Sequence, residues 1–339
     1  MKVVKIIVIA IAVILGLLII GGLFLSTEMK TEKSIVINTP PNIPYSQVAN
    51  LRNMHKWDPW SQIDTSMETT YDGPLVGVGA KRSWKSKHES VGIGSMVITK
   101  AEQFSYIDSD LDFGDQGKAT SYYKFEEIED GKTKVTWGFH SDIDIPIMGG
   151  YLLAMMGPMI EEEYMKGLEN LKKLSEGIQN KTDLSDRKIT LEKLNLQKMV
   201  CISGSTTQDD PNIAQKFGEA YGKLMSNIQV NGMEMAGPQL TVTTHWGENK
   251  YEYQNCIPVK EIIGDLSASV VEKTSYEGTA VKIEHIGPYA ESEPSYNAIM
   301  AYIEQFGFEM VGFPWEVYIN DPTETPEDKL ITHIYFPIK

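Results

Sequence analysis

The decapeptide FPWEVYINDP, residues 313–322, sets a carboxylate where a strand that helps to form a core has little use for one. Period-two alternation sends Glu316 and Tyr318 to one face of that strand and Trp315 and Val317 to the other. Desolvating an unpaired carboxylate costs several kcal/mol, part of which a bound cation recovers. Any aromatic face presented to the same positive charge adds about 0.5–2 kcal/mol. A second chemistry is open to the same residues: Glu316 as general acid or base with a tyrosine assisting, should burial raise the carboxyl pKa. A bland role is the third possibility, with Glu316 exposed on an edge strand or paired to a lysine.

The elements that must position Glu316 repeat within residues 196–260 and 278–339. KMVCISGS (198–205) matches AVKIEHIGP (280–288) as a strand ending in glycine, and NIAQKFGEAYGKLMSNI matches SYNAIMAYIEQF as a helix. Ile213, Phe217, Tyr221, Leu224 and Ile228 fall on one face of the first helix. NGMEMAGPQLTV matches FGFEMVGFPWEVY, and YEYQNCIPV matches LITHIYFPI. Each half is thus strand, helix, strand, strand, and two such halves bury their small sheets by pairing about a pseudo-two-fold axis with a groove between them. Aligning Pro238 with Pro314 sets Leu240 opposite Glu316. On that alignment the carboxylate belongs to one half only, and packing does not require it.

This half of the chain, about 188–339, resembles the GyrI-like family, the effector-binding domain also found fused to AraC-type regulators. HIGPY (285–289), PWEVYINDP (314–322) and TPEDKLITHIYFPI (325–338) carry the match. The resemblance implies an aromatic-walled pocket in which Glu316 meets apolar, cationic ligands, with Tyr318, Trp315 and Tyr289 beside it. It also implies a hydrolase alternative, in which Glu316 and Tyr318 are the catalytic pair. His285, beside Gly287 and Pro288, is expected to shape a turn, and Asn320 or Asp321 to bond local backbone.

Upstream, about 34–176, a first domain begins with SIVINTPP as a strand and a short helix from Ser46 to Met54 that leads to WDPW (57–60). Strand-like runs follow (KRSWKS, GSMVITKAEQ, SYIDSDLDF, TSYYKFEEI, TKVTWGFHSD), with Asp130-Gly131 as a hairpin signal. Met159, Ile160, Tyr164, Leu168, Leu171 and Leu174 then mark one long amphipathic helix stopped by Gly177. Helix, meander and long helix are the order of a helix-grip fold. WDPWSQID, the stretch from Gly73, VTWGF (135–139) and EEEYMKGLENLK (161–172) resemble the SRPBCC superfamily, the START-like group with the polyketide cyclase-like proteins. That resemblance implies a hydrophobic-ligand pocket and no particular reaction. Trp57 and Trp60 are expected to pack one end of the core, and Met148, Met155, Met156 and Met159 to fill core gaps or line an adaptable pocket. EGIQNKTDLSDRK makes a linker, taken as 177–187.

Residues 6–25 are twenty without a charge, enough at about 1.5 Å per residue to cross about 30 Å of hydrocarbon. The fold class is therefore α+β behind an N-terminal transmembrane helix and a tether to residue 33. Lys2 and Lys5 before the span favour a cytoplasmic N-terminus and extracytoplasmic domains in a single-pass membrane protein. Cys201 and Cys256 would then sit where a disulfide can form.

A net charge of −15 with no basic run excludes the usual nucleic-acid footprint. Two cysteines without CxxC spacing, and six scattered histidines, show no metal-ligand pattern, and no cofactor motif occurs. The expected partners are a small hydrophobic or cationic molecule and, through the N-terminal helix, a lipid bilayer. Protein partners are not legible, although a structural envelope protein is a third function class, behind binding and hydrolysis.

Overall fold

The computed structural model describes every residue except Met1, Asp130, Ile143, Asp144, Pro146 and Glu248, together with all side chains but those of Lys2, Val3, Glu129, Leu152 and Met156. Asp130 of the hairpin signal and the Met156 side chain therefore lie outside the described residues. The chain forms two compact units, Met1–Ser185 and Asp186–Lys339.

In the first unit α1 (Lys2–Phe24) is apolar on all sides, and its Val4–Phe24 stretch is long and apolar enough to cross a membrane. Only three residues separate the end of α1 from β1 (Glu28–Ile37), so the expected polar tether is largely strand. The reason is the alternation in EMKTEK, which buries Met29 and Thr31 while charged neighbours face out.

α2 (Asn42–Ala49) follows Pro40 and Pro41, and a 3-10 turn runs over Leu51–Lys56. The helix expected over 46–54 is thus split at Asn50, whose side chain accepts a hydrogen bond from the Arg52 amide. α3 (Pro59–Ile63) is capped by Asp58.

The strands β2 (Glu68–Asp72), β3 (Lys81–Lys85), β4 (Ile93–Glu102), β5 (Tyr106–Asp112), β6 (Lys118–Glu129) and β7 (Lys132–Asp142) join β1 in one antiparallel sheet of order β1-β7-β6-β5-β4-β3-β2. α4 (Met148–Gly177) lies against β1 and β7. It begins eleven residues before Met159, where the sequence pattern placed its start.

The grip between α4 and the sheet is filled by rings. Trp137 stacks on Tyr164 at 4.0 Å, and Trp57, Trp60 and Tyr123 close round them at centroid distances of 5.2 to 6.1 Å. Trp57 is fully buried. Met148, Met155 and Met159 do not fill core gaps, because all three are exposed. The linker is docked on the first unit near its middle: the Asn42 side chain donates to the Thr182 carbonyl and accepts from the Leu184 amide, and Leu184 is fully buried.

The second unit is built from β8 (Ile189–Leu194), β9 (Lys198–Thr206), α5 (Ile213–Val230), β10 (Leu240–Gly247), β11 (Lys250–Val259), β12 (Val271–Thr274), β13 (Gly278–Ile286), α6 (Glu293–Phe306), β14 (Trp315–Tyr318) and β15 (Ile331–Ile338). One sheet of order β12-β9-β11-β10-β14-β15-β13-β8 holds both halves, joined where β10 pairs with β14. β9-α5-β10-β11 and β13-α6-β14-β15 are the two halves, and β12 and β8 add an edge strand to each.

The register corrects the repeat alignment. Thr241 pairs with Glu316 and Leu240 with Val317, so Leu240 lies on the face opposite to Glu316. A slip of one residue moves every side chain to the other face. The bridges Met235 to Val259 and Met310 to Ile338 match Met235 with Met310, which makes Thr241 the counterpart of Glu316 across the axis. The first half therefore carries a polar residue at this place, and the inference drawn from an apolar counterpart falls.

Candidate functional site

β14 is central in the sheet, with β10 on one side and β15 on the other, and α5 and α6 lie on the face that Glu316 and Tyr318 share. The half-buried carboxylate meets hydroxyls. The Tyr296 hydroxyl, from the first turn of α6, donates to Glu316 Oε1 at 2.7 Å, and the Tyr318 hydroxyl donates to Oε2 at 3.0 Å. Tyr318 also stands 3.1 Å from Thr241 Oγ1, which contacts the Tyr221 hydroxyl of α5 and donates to Asn255 Oδ1, both at 2.9 Å. The Tyr289 ring abuts Tyr318 at 5.4 Å and is 39% exposed, which marks the open side of the cleft.

Burial, and then the charge on Glu316, raise the hydroxyl pKa of Tyr296, Tyr318 and Tyr289. Tyr221 is raised by burial and Glu316 and lowered in part by its Thr241 contact, and Tyr251 is pushed up to about 12, chiefly by burial. Five tyrosines thus stand close enough to feel the charge on Glu316, and two of them, Tyr296 and Tyr318, donate to it. Among the described residues no lysine, arginine or histidine pairs with Glu316. A carboxylate held only by neutral hydroxyls keeps its capacity for a cation.

Of the residues singled out in the sequence, Glu316, Tyr318 and Tyr289 come together. Trp315 does not join them: it points to the other face, stacked on Tyr335 at 5.2 Å and 3°. Tyr221, Tyr296, Tyr251, Thr241 and Asn255 are members of the site that sequence reasoning missed. Only Tyr221 carried a signal, as part of the apolar stripe of its helix. His285 holds the turn as expected, contacting Pro288 O and Ser295 Oγ at 3.1 Å each.

Cys201 and Cys256 are cross-strand partners on β9 and β11 and form a disulfide on the face away from Glu316. Elsewhere Glu28, His140 and Asp142 bring ligand atoms within 4.8 Å of one another at the ends of β1 and β7. Both imidazole nitrogens already face carboxylates, and Glu28 is paired with Lys30. A surface hollow of about 820 Å3 along α5, lined by Lys223, Asn227 and Asp265 among others, has no aromatic residue in its lining.

Residues 187–339 match the GyrI-like small molecule binding domain, and residues 28–176 match the family of polyketide cyclases, dehydrases and lipid transport proteins. The chain joins one domain of each family, and small-molecule binding is the property that both support. Among solved structures it is similar to the C-terminal domain of EcmrR, at 18% identity and a TM-score of 0.39, over 45% of this chain and 98% of that one. It is similar also to SAV2435 bound to tetraphenylphosphonium (20%, 0.35, 45% and 94%) and to a hydrolase from Listeria innocua (14%, 0.36, 45% and 92%). No curated protein matches the chain.

Proposed function

We propose that the protein is a membrane-anchored receptor for small lipophilic cations, bound in the cleft between α5 and α6 with Glu316 as the charge that selects them. The observation that carries this reading is the carboxylate among five tyrosines with no cationic partner among the described residues. An aromatic cation entering beside Tyr289 meets ring faces on its way to the charge. It needs to donate no hydrogen bond, because the tyrosine hydroxyls already serve the carboxylate. α1 is the anchor. Lys2 and Lys5 at its N-terminal end, and the Cys201–Cys256 disulfide, support an extracytoplasmic site.

Titration of the full chain with tetraphenylphosphonium tests the charge, since that cation has no hydrogen-bond donor. Glu316→Gln is expected to weaken binding by about thirtyfold or more, the loss of a desolvated charge pair. Neutral triphenylphosphine oxide is expected to bind parent and variant alike. Equal affinity of the variant for the cation would sink the proposal. Turnover of an ester or another electrophile by the parent, lost in Glu316→Gln, would instead make Glu316 a general acid or base.

A further inference from the structure

We propose that the first three turns of α4 lie in the bilayer interface beside α1, so that the first domain rests on the lipid surface through its own long helix. This rests on the reading of α1 as a membrane span.

Residues 145–160, IPIMGGYLLAMMGPMI, contain no charge, and Glu161, Glu162 and Glu163 follow at once. Within that stretch Met148, Met155 and Met159 fall at spacings of seven and four, which is one stripe of a helix. They are 55%, 66% and 67% exposed, while Leu153, Tyr164, Leu168 and Leu171 of the same helix are buried. A soluble helix carries charges on such a face, and this one begins to do so only at Glu161.

The start of α4 is fixed against α1. The Tyr151 hydroxyl donates to the Leu18 carbonyl at 2.9 Å. Gly21, Gly22 and Gly150 leave the room for this approach: a Cβ at Gly22 would meet Ile147, one at Gly21 would meet Tyr151, and one at Gly150 would meet Leu25. Leu18 lies six residues before the end of α1, about 9 Å inside the end of the span at the helical rise. Tyrosine is a residue of the membrane interface, where its ring is apolar and its hydroxyl still finds an acceptor.

At the other end of the stretch, Lys33 of β1 pairs with Glu161 at 2.6 Å, which marks where the charged surface resumes. The methionine stripe thus continues the lipid-facing surface of α1, where Leu23 and Phe24 are 71% and 86% exposed. Lipid is the occupant that covers both surfaces without a break, at the depth of about 5–10 Å usual for an interfacial helix.

The test uses the full chain, which has no free cysteine among the described residues. Single cysteines at Met155 and Met159 are labelled with bimane in phosphatidylcholine–phosphatidylglycerol liposomes, with and without a mixture of lipids carrying nitroxide quenchers at shallow and at deep acyl-chain positions. Ile14, within α1, is the control for the span. Ile128 is the remote control, since the pairing of Glu28 with Asp142 and of Ile37 with Thr133 puts the β6–β7 turn at the far end of β1. Lipid quenching at 155 and 159 within a factor of about two of that at 14, with none at 128, is expected for an interfacial helix.

Quenching at 14 but not at 155 or 159 overturns the proposal and leaves the span standing. Absence of quenching at 14 overturns both. Disulfide cross-linking between the 155 positions of two chains, with no lipid quenching there, assigns the stripe to a second copy and also overturns it.

Discussion

Asp58 and Glu316 are both carboxylates set among aromatic rings, one in each domain, and they differ in what meets the charge. Asp58 is buried with Arg82, whose guanidinium donates to Oδ2 at 3.1 Å, and Ser61 donates to the same oxygen at 2.7 Å. Glu316 receives only phenolic hydroxyls. The first charge is spent inside the fold, where it ties α3 to β3, while the second remains available to a molecule that arrives from outside. Burial of a carboxylate alone does not set a candidate site apart; a carboxylate with no counter-charge among the described residues does.

The largest expected effect tests the first member of that pair. Arg82→Leu leaves Asp58 buried without its cation and should destabilise the first domain by about 3–5 kcal/mol. Denaturant unfolding followed by tryptophan fluorescence measures it, as Trp57, Trp60, Trp84 and Trp137 report on that domain. A loss below about 1 kcal/mol would erase the distinction between the two carboxylates.

Glu316→Gln breaks no ion pair. Its cost in stability of the second domain is expected to stay within about 1 kcal/mol while cation affinity collapses. A large stability loss with binding intact would make Glu316 structural, like Asp58.

Alkaline pH gives the next effect. The tyrosines around Glu316 have folded pKa values above the ordinary value near 10, so their contribution to stability is complete below pH 10. It is lost as pH rises toward the folded values, about 12 for Tyr251. Each such tyrosine removes up to about 1.4 kcal/mol per pH unit in that window. A titration of phenolate absorbance should show the Tyr221, Tyr251, Tyr296 and Tyr318 hydroxyls still protonated at pH 11, and cation binding should not strengthen between pH 8 and 10. Normal titration of all the tyrosines near 10 would mean that the cleft is wet and open.

The smallest expected effect is at Trp315. Trp315→Leu removes the stack on Tyr335 from the far face and should change cation affinity by less than about twofold. A loss comparable with that of Glu316→Gln would show that the ligand reaches the other face of the sheet.

Much of the architecture was legible because it is periodic. The charge-free run of α1, the repeated strand-helix-strand-strand pattern and the alternation that puts Glu316 and Tyr318 on one face are all properties of neighbouring residues. The site was legible in its centre and not in its walls. Tyr296 stands in the first turn of α6 with nothing in its local pattern to distinguish it from a surface tyrosine, and Asn255 lies in a strand that also carries Lys250, Glu252 and Gln254, so its polarity does not single it out. Thr241 was missed through the one-residue slip in the repeat, since two prolines in similar contexts, Pro238 and Pro314, are not structural equivalents. The methionines of α4 misled for a related reason. Their spacing fixed which helical face they share, and only the packed domain showed that face turned outward.

By itself the sequence determined the membrane-length helix, two domains of mixed class, a duplicated second domain and the face on which its acidic strand residue lies. These follow from backbone periodicity, which each residue imposes on its near neighbours whatever the rest of the chain does. The tertiary structure decided which strand lies beside which and in what register. It thereby decided that Asp58 finds a guanidinium and Glu316 a ring of hydroxyls. Partners of that kind come from segments distant in the chain, and their meeting depends on how whole elements pack, which no local pattern encodes.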